Sequence, residues 1–375
     1  MLIVPPLRYV LSLLPLIVTT AASAAVQCPA DLYPTLNVQE ALHEPDKHAW
    51  ALFVAVSHPA DLKAPRGTPD KTKKLGDPGK VVWETWKLAR TEVFKDDGSD
   101  PGVWDTPAAP SRDLSDPPKS QIVTAGLNLK PRPLFDIGET GNETRQNCST
   151  FKFIVEKTLY NIEGQEEFMK NASARGEKLS FPIESMEVKA SWRKFTEAEA
   201  KTDLVRQYYT VVDDNKTVWG LATLHILTKE LPNWFWTSFR NKNGPTPKFP
   251  KGDSAGMPEV VKKTVWENYE LSGSQTNFVD TDGRTIILSD PIIESGFEKS
   301  SCMTCHAHAG IRRIADGKRD EMPFSFGLDV DFEVLTPIGA PEPRLFLENS
   351  GRTGVDQSVF QQDFLFSLRR AKNKR

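Results

Sequence analysis

An α+β fold, with a central antiparallel β-sheet, flanking helices and long irregular segments, follows from three features of the chain. Glu187-Val188-Lys189-Ala190-Ser191-Trp192-Arg193 alternates with period two, the pattern of a half-buried strand. Gln207 to Val212 is β-branched and aromatic, and Asp213-Asp214-Asn215-Lys216 then supplies a turn. Two further apolar and aromatic runs, Trp219 to Thr228 and Trp234 to Phe239, continue the series, so consecutive antiparallel strands are expected.

The remaining elements are read in chain order. Arg8 is the only charge before Asp31, Tyr9 to Val18 is apolar, and Ala22-Ser23-Ala24 offers small residues for cleavage. These features predict a signal peptide over residues 1–25. The apolar run is shorter than the ~20 residues a membrane span requires and contains Pro15, so an uncleaved anchor is the weaker reading. His48 to Val56 has helical spacing of apolar residues, and Val81 to Lys87 is rich in aromatic anchors. Seven prolines between Asp100 and Pro133 fix extended backbone and predict a surface wrap. Phe151 to Tyr160 is ambiguous between helix and strand. Val359 to Leu368 closes the chain as an apolar segment.

Charge narrows the partners. The formal net charge is −3, and loss of Arg8 with the leader makes it −4, with both signs mixed along the chain. Nothing here calls for nucleic acid, and no stable membrane span is expected after cleavage. The basic tail Arg369 to Arg375 reads as a solvated end.

Cys302-Met303-Thr304-Cys305-His306 carries the chemistry. Two thiols and an imidazole at this spacing allow each cysteine to add across one porphyrin vinyl group while the histidine gives the iron its proximal nitrogen. With 4 Cys and 6 His in 375 residues, a chance occurrence is expected about 0.0007 times per chain of this composition. A structural zinc site would need a fourth ligand, and only Cys28 and Cys148 remain, both distant and unpaired at short spacing. A thioredoxin-like pair would open a helix after a strand in a βαβ setting, which the flanking residues do not suggest. One covalent haem c is therefore the expected cofactor, held by Cys302 and Cys305 with His306 as axial ligand. Export to the periplasm is expected with it. Cys28 and Cys148 are then an even remainder in an oxidising compartment, and a disulfide between them is expected.

A sixth iron ligand is sought among few residues. His225 lies in the centre of a predicted buried strand, and Met322 follows a polar loop that could fold over a haem. His225 or Met322 is the candidate; the bland alternatives are a core histidine bonded to backbone or carboxylate and a gap-filling methionine. His308 is expected to face solvent or to support the site from behind, and the tryptophans are expected mostly in the core.

Ala49 to Ala55, Val82 to Lys87, Glu187 to Trp192, Gly220 to Ile226, Asn233 to Phe239 and Ser301 to Ala307 together resemble the large single-haem cytochrome c family proteins of bacteria. That resemblance implies export and one covalent haem and supplies no substrate. Ser57-His58-Pro59 departs from the Asn-Trp-Pro expected after the first apolar run.

The chain thus divides into a leader (1–25), an aromatic-rich region with the proline-rich wrap (26–150), a β-rich region (151–290) and a C-terminal haem-binding segment (291–375), with 26–375 as one compact domain the alternative division. Periplasmic electron transfer is the expected role, with an unknown redox partner protein. The alternatives are a peroxidase-like haem enzyme and a haem-based sensor or binding protein, so whether the chain is an enzyme stays open.

Overall fold

The computed structural model describes residue 28 and residues 36–105, 114, 140–294, 298–313, 319–321, 327–328, 334–335, 338–341 and 359–375. The leader, most of the proline-rich wrap and Met322 lie outside these.

Two helices open the described chain. Asn37 caps α1 (Val38–His43) by accepting from the Glu40 N–H, and Pro45 starts α2 (Pro45–Val56) where its missing N–H costs nothing. Helix α2 buries Ala49, Trp50, Phe53 and Val56. Phe53 stacks on Phe239 at 4.2 Å between ring centroids, and Trp50 meets the same ring edge-on at 4.9 Å. At its polar end, Asp46 accepts from the Ser254 N–H and from the hydroxyls of Ser254 and Ser274. One carboxylate thus pins the helix to the sheet beneath it.

That sheet has seven strands, all antiparallel. It runs β1 (Lys87–Leu88), β2 (Thr140–Gln146), β3 (Met186–Lys194), β5 (Val218–Thr228), β6 (Phe235–Asn241) and β7 (Tyr269–Gln275), with β4 (Thr210–Val212) paired to the beginning of β5. The expected α+β class and central sheet are both present. Asp213 to Lys216 forms the expected turn, closed by Lys216 N–H to Asp213 O and Asp213 N–H to Thr217 O. Phe151 to Tyr160 resolves as helix: α3 (Cys148–Glu156) is capped by Asn147 and buries Phe151 and Ile154 at helical spacing. Helix α4 (Ile162–Arg175) follows.

The pairing register separates two unlike sheet faces. Val188, Ala190, Leu224, Ile226 and Phe239 share the apolar face with α2 over it. Glu187, Lys189, Ser191, Thr223, His225, Trp236, Ser238 and Gln275 share the other face. The C-terminal segment covers this polar face. Gln146 donates to both Glu187 and the Ser367 hydroxyl, and Lys229 pairs with Asp363 at 2.7 Å. Segment 302–361 adds helix α5 (Cys302–Ala307), a small sheet of β8 (Gly310–Arg313), β9 (Arg319–Glu321) and β12 (Val359–Gln361), and the hairpin pair β10 (Gly327–Leu328) and β11 (Val334–Leu335).

The basic tail is docked, contrary to the solvated end expected from its charge. Lys372 bridges Asn161, its carbonyl accepts from the Ile162 N–H, and the Arg375 N–H donates to Asp97 O. Backbone pairing holds a segment whose side-chain charges alone gave no reason to dock.

The expected disulfide is formed: Cys28 joins Cys148, the first residue of α3. Among the described residues no helix is long and apolar enough to cross a membrane.

Candidate functional site

Helix α5 is short, and its start is fixed from three sides. The Ser301 hydroxyl accepts from the Thr304 N–H and donates to the Thr304 hydroxyl. Leu288 pairs with Ser301 in parallel, taking the Cys302 N–H on its carbonyl. From β7, Gln275 uses both ends of its amide: it donates to the Ser301 hydroxyl at 2.9 Å and accepts from the Met303 N–H at 3.2 Å. Cys302, Cys305 and His306 therefore stand at i, i+3 and i+4 on one face of a fixed turn, while Met303 is sealed in the core. Gln275→Ala would leave the Ser301 hydroxyl and Met303 N–H without these partners in a buried place. It is expected to cost about 2–3 kcal/mol in denaturant unfolding; a change under about 0.5 kcal/mol would show that the glutamine does not hold the helix.

Burial governs the motif's titration. The Cys302 thiol is pushed well above its usual pKa, and that of Cys305 is pushed up to about 12, so both are neutral thiols at ordinary pH. Cys302 Sγ lies 3.5 Å from Leu288 O, and Cys305 Sγ lies 3.2 Å from the Ser300 hydroxyl. A redox-active Cys-x-x-Cys nucleophile needs the opposite shift, toward thiolate.

His306 is oriented for a metal. Its Nδ1 lies 2.7 Å from Phe364 O and must donate there, because a carbonyl can only accept. The other nitrogen, Nε2, then keeps its lone pair, and it has no hydrogen-bond partner among the described residues. Trp236 and Phe366 flank the ring at centroid distances of 4.7 and 5.0 Å. Burial drives the imidazole pKa down to about 3, so the ring is neutral, the form that ligates metal ions.

Lys189, Glu294, Cys305 and His306 all retain accessible surface, yet burial is the largest cause of the pKa shift at each. These half-buried groups form one cluster in which each feels the charge of another. Burial lowers Lys189 and raises Glu294, disfavouring the charged form of each. His225 stands on the same face: in register it lies opposite Lys189 on β3 and Ser238 on β6. Its Nε2 is 3.5 Å from Asp290 Oδ2. Burial opposes ionisation of Asp290, but contact with His225 and the N–H groups of Ile292 and Ile293 outweigh it and hold the carboxylate below its usual pKa. The charges of Lys189 and His225 are felt at His306, and those of Glu294 and Asp290 at Cys302.

Cys302, Cys305, His306 and His225 are thus gathered at one place; Met322 lies outside the described residues. The predicted disulfide of Cys28 and Cys148 is remote in role, a staple at the α3 corner. His308 is buried rather than solvent-facing, with Nδ1 2.8 Å from Thr304 O. Trp50, Trp83, Trp86, Trp192, Trp219, Trp234, Trp236 and Trp266 are all buried, as expected, and Trp236 also touches His306.

Sequence reasoning missed Lys189, Gln275, Asp290 and Glu294. Only Lys189 left a signal, a cation alternating in phase with Glu187 along an otherwise apolar strand.

No family model matches this chain, and no curated protein or solved structure does either.

Proposed function

We propose that the protein is an exported, periplasmic monohaem c-type cytochrome that transfers electrons, of the single-haem cytochrome c kind its motifs resemble. Cys302 and Cys305 would hold the haem as thioethers, and His306 would ligate the iron through Nε2. The observation that carries this reading is the posture of His306: Nδ1–H anchored on Phe364 O, Nε2 without a hydrogen bond, and two neutral thiols on the same helix face. When bound, the haem supplies one-electron redox chemistry. The chain's own part is to fix the imidazole tautomer, wall the ring with Trp236 and Phe366, and restrict water. The Cys28 to Cys148 bridge supports an oxidising compartment.

His225 or Met322 would take the sixth position. A second reading, a haem enzyme or ligand-binding protein with that position open, is favoured by the ionisable wall of Lys189, His225, Asp290 and Glu294, which an electron carrier does not need.

Intact mass tests the central claim. Protein exported in a host that matures c-type cytochromes should carry one haem's added mass after denaturation, and Cys302→Ser with Cys305→Ser should return it to the bare polypeptide. Wild-type protein at the polypeptide mass would end the proposal. Low-spin six-coordinate iron would favour electron transfer, and high-spin iron that binds peroxide would favour the enzyme.

A further inference from the structure

We propose that His225, Asp290 and Glu294 form a second metal site, for a divalent first-row transition ion, beside the same cluster. The three residues come from β5 and from the loop after β7, and one ligand atom from each lies within 4.8 Å of the other two. Around an ion with bonds of about 2.1 Å, neighbouring tetrahedral donors stand about 3.4 Å apart, close to the 3.5 Å between His225 Nε2 and Asp290 Oδ2, so a shift of about 1 Å by the third donor brings all three into one coordination shell.

Two orphaned atoms give the second, independent reason. His225 Nε2 and Asp290 Oδ2 are both buried and have no hydrogen-bond partner, though they face each other at 3.5 Å. A buried imidazole nitrogen and carboxylate oxygen left in this state cost stability. A cation between them would satisfy both at once.

The carboxylates are also held from behind. Asp290 Oδ1 accepts from the N–H groups of Ile292 and Ile293, which leaves Oδ2 toward His225. Glu294 Oε2 accepts from the Asp290 N–H, which leaves Oε1 for another partner. Outer hydrogen bonds of this kind orient ligands in metal sites. The nearest competing cation is Lys189, which makes no ion pair with either carboxylate among the described residues. One imidazole and two carboxylates suit Mn²⁺, Fe²⁺ or Zn²⁺ rather than a soft ion. His225 cannot serve this ion and the haem iron through the same nitrogen, so Nε2 bound to the ion is not the haem's sixth ligand. The inference does not depend on the haem, because none of the three donors belongs to the Cys302 to His306 motif.

The test uses the full exported protein, stripped with chelator and reloaded separately with Zn²⁺ and Co²⁺. One equivalent should survive gel filtration. Asp290→Asn and Glu294→Gln should each weaken binding by more than the ~10–100-fold that follows loss of an outer-shell partner, while Cys302→Ser with Cys305→Ser leaves it unchanged. In the unmodified protein, the Co²⁺ spectrum should lack thiolate charge-transfer bands, a readout that needs no variant to fold. Failure to retain an ion, binding indifferent to both carboxylate changes, or binding that follows the thiols would overturn the proposal. Haem mass measured on the same samples keeps this result separate from the haem-attachment claim.

Discussion

Replacing Cys28 and Cys148 together by serine is expected to lower the unfolding free energy by about 3–5 kcal/mol. The bridge spans a sequence separation of 120 residues. On the chain-entropy model a loop of that size restricts the unfolded state by about 5 kcal/mol, and removal of native bridges costs about 2–5 kcal/mol. The folded state gives it a firm anchor. Cys148 follows Asn147, whose Oδ1 accepts from the N–H and hydroxyl of Thr150 and from the Met186 N–H, so the bridge ties the start of the chain to the corner between β2, α3 and β3. Denaturant unfolding of the oxidised protein and the double variant measures the difference, and reduction of the wild type should move its midpoint the same way. Coincident midpoints would show that the loop closure does not matter to stability.

How much of this architecture could be read beforehand differs between elements, for physical reasons. Strands β3 and β5 and most of β6 announce themselves because their alternation or β-branched content matches a buried pleat. Strands β2, Thr-Gly-Asn-Glu-Thr-Arg-Gln, and β7, Tyr-Glu-Leu-Ser-Gly-Ser-Gln, do not, since both are polar. They are strands because the neighbours of β2 on both sides, and β6 on the one paired side of β7, complete their backbone hydrogen bonds. Of their polar side chains, Gln146 and Gln275 each hold part of the C-terminal segment. Gln207 to Val212 shows the reverse error: only Thr210–Val212 pairs, because residues 203–207 coil into a 3-10 turn.

The site divides along the same line. The Cys302 to His306 spacing is local chemistry and was legible outright. The ionisable cluster beside it was not, because Lys189, His225, Asp290 and Glu294 are brought together by strand register and by the loop after β7, neither of which a one-dimensional pattern encodes. His225 was recognisable as a buried histidine in need of a partner, but the residue it faces at 3.5 Å, Asp290, was not. Helical phase turned His308 away from the proximal side but left solvent and a supporting place behind the site both open; Thr304 O and the C-terminal segment enclose it.

The haem-free chain is expected to lose stability steeply in acid, with His306 a principal cause. Burial sets its folded pKa at about 3 against an ordinary value of 6.5. Above pH 6.5 the ring is neutral in both states and contributes no pH dependence. Between pH 6.5 and about 3 the unfolded chain binds a proton that the folded chain refuses, so unfolding is favoured as pH falls, by about 1.4 kcal/mol per unit. Below about 3 both states are protonated and the slope ends. The accumulated loss is on the order of 5 kcal/mol. Measured in a Cys302→Ser, Cys305→Ser background, where no haem can attach covalently, His306→Gln should flatten the stability profile across this window and leave it unchanged near pH 8. Carboxylates titrate over part of the same range, but they are common to both proteins and cancel in the difference. Parallel profiles with and without His306 would mean that the ring is solvated in the folded state, and the enclosure by Trp236, Phe366 and Phe364 O on which its proposed role as an axial ligand rests would fall with that result.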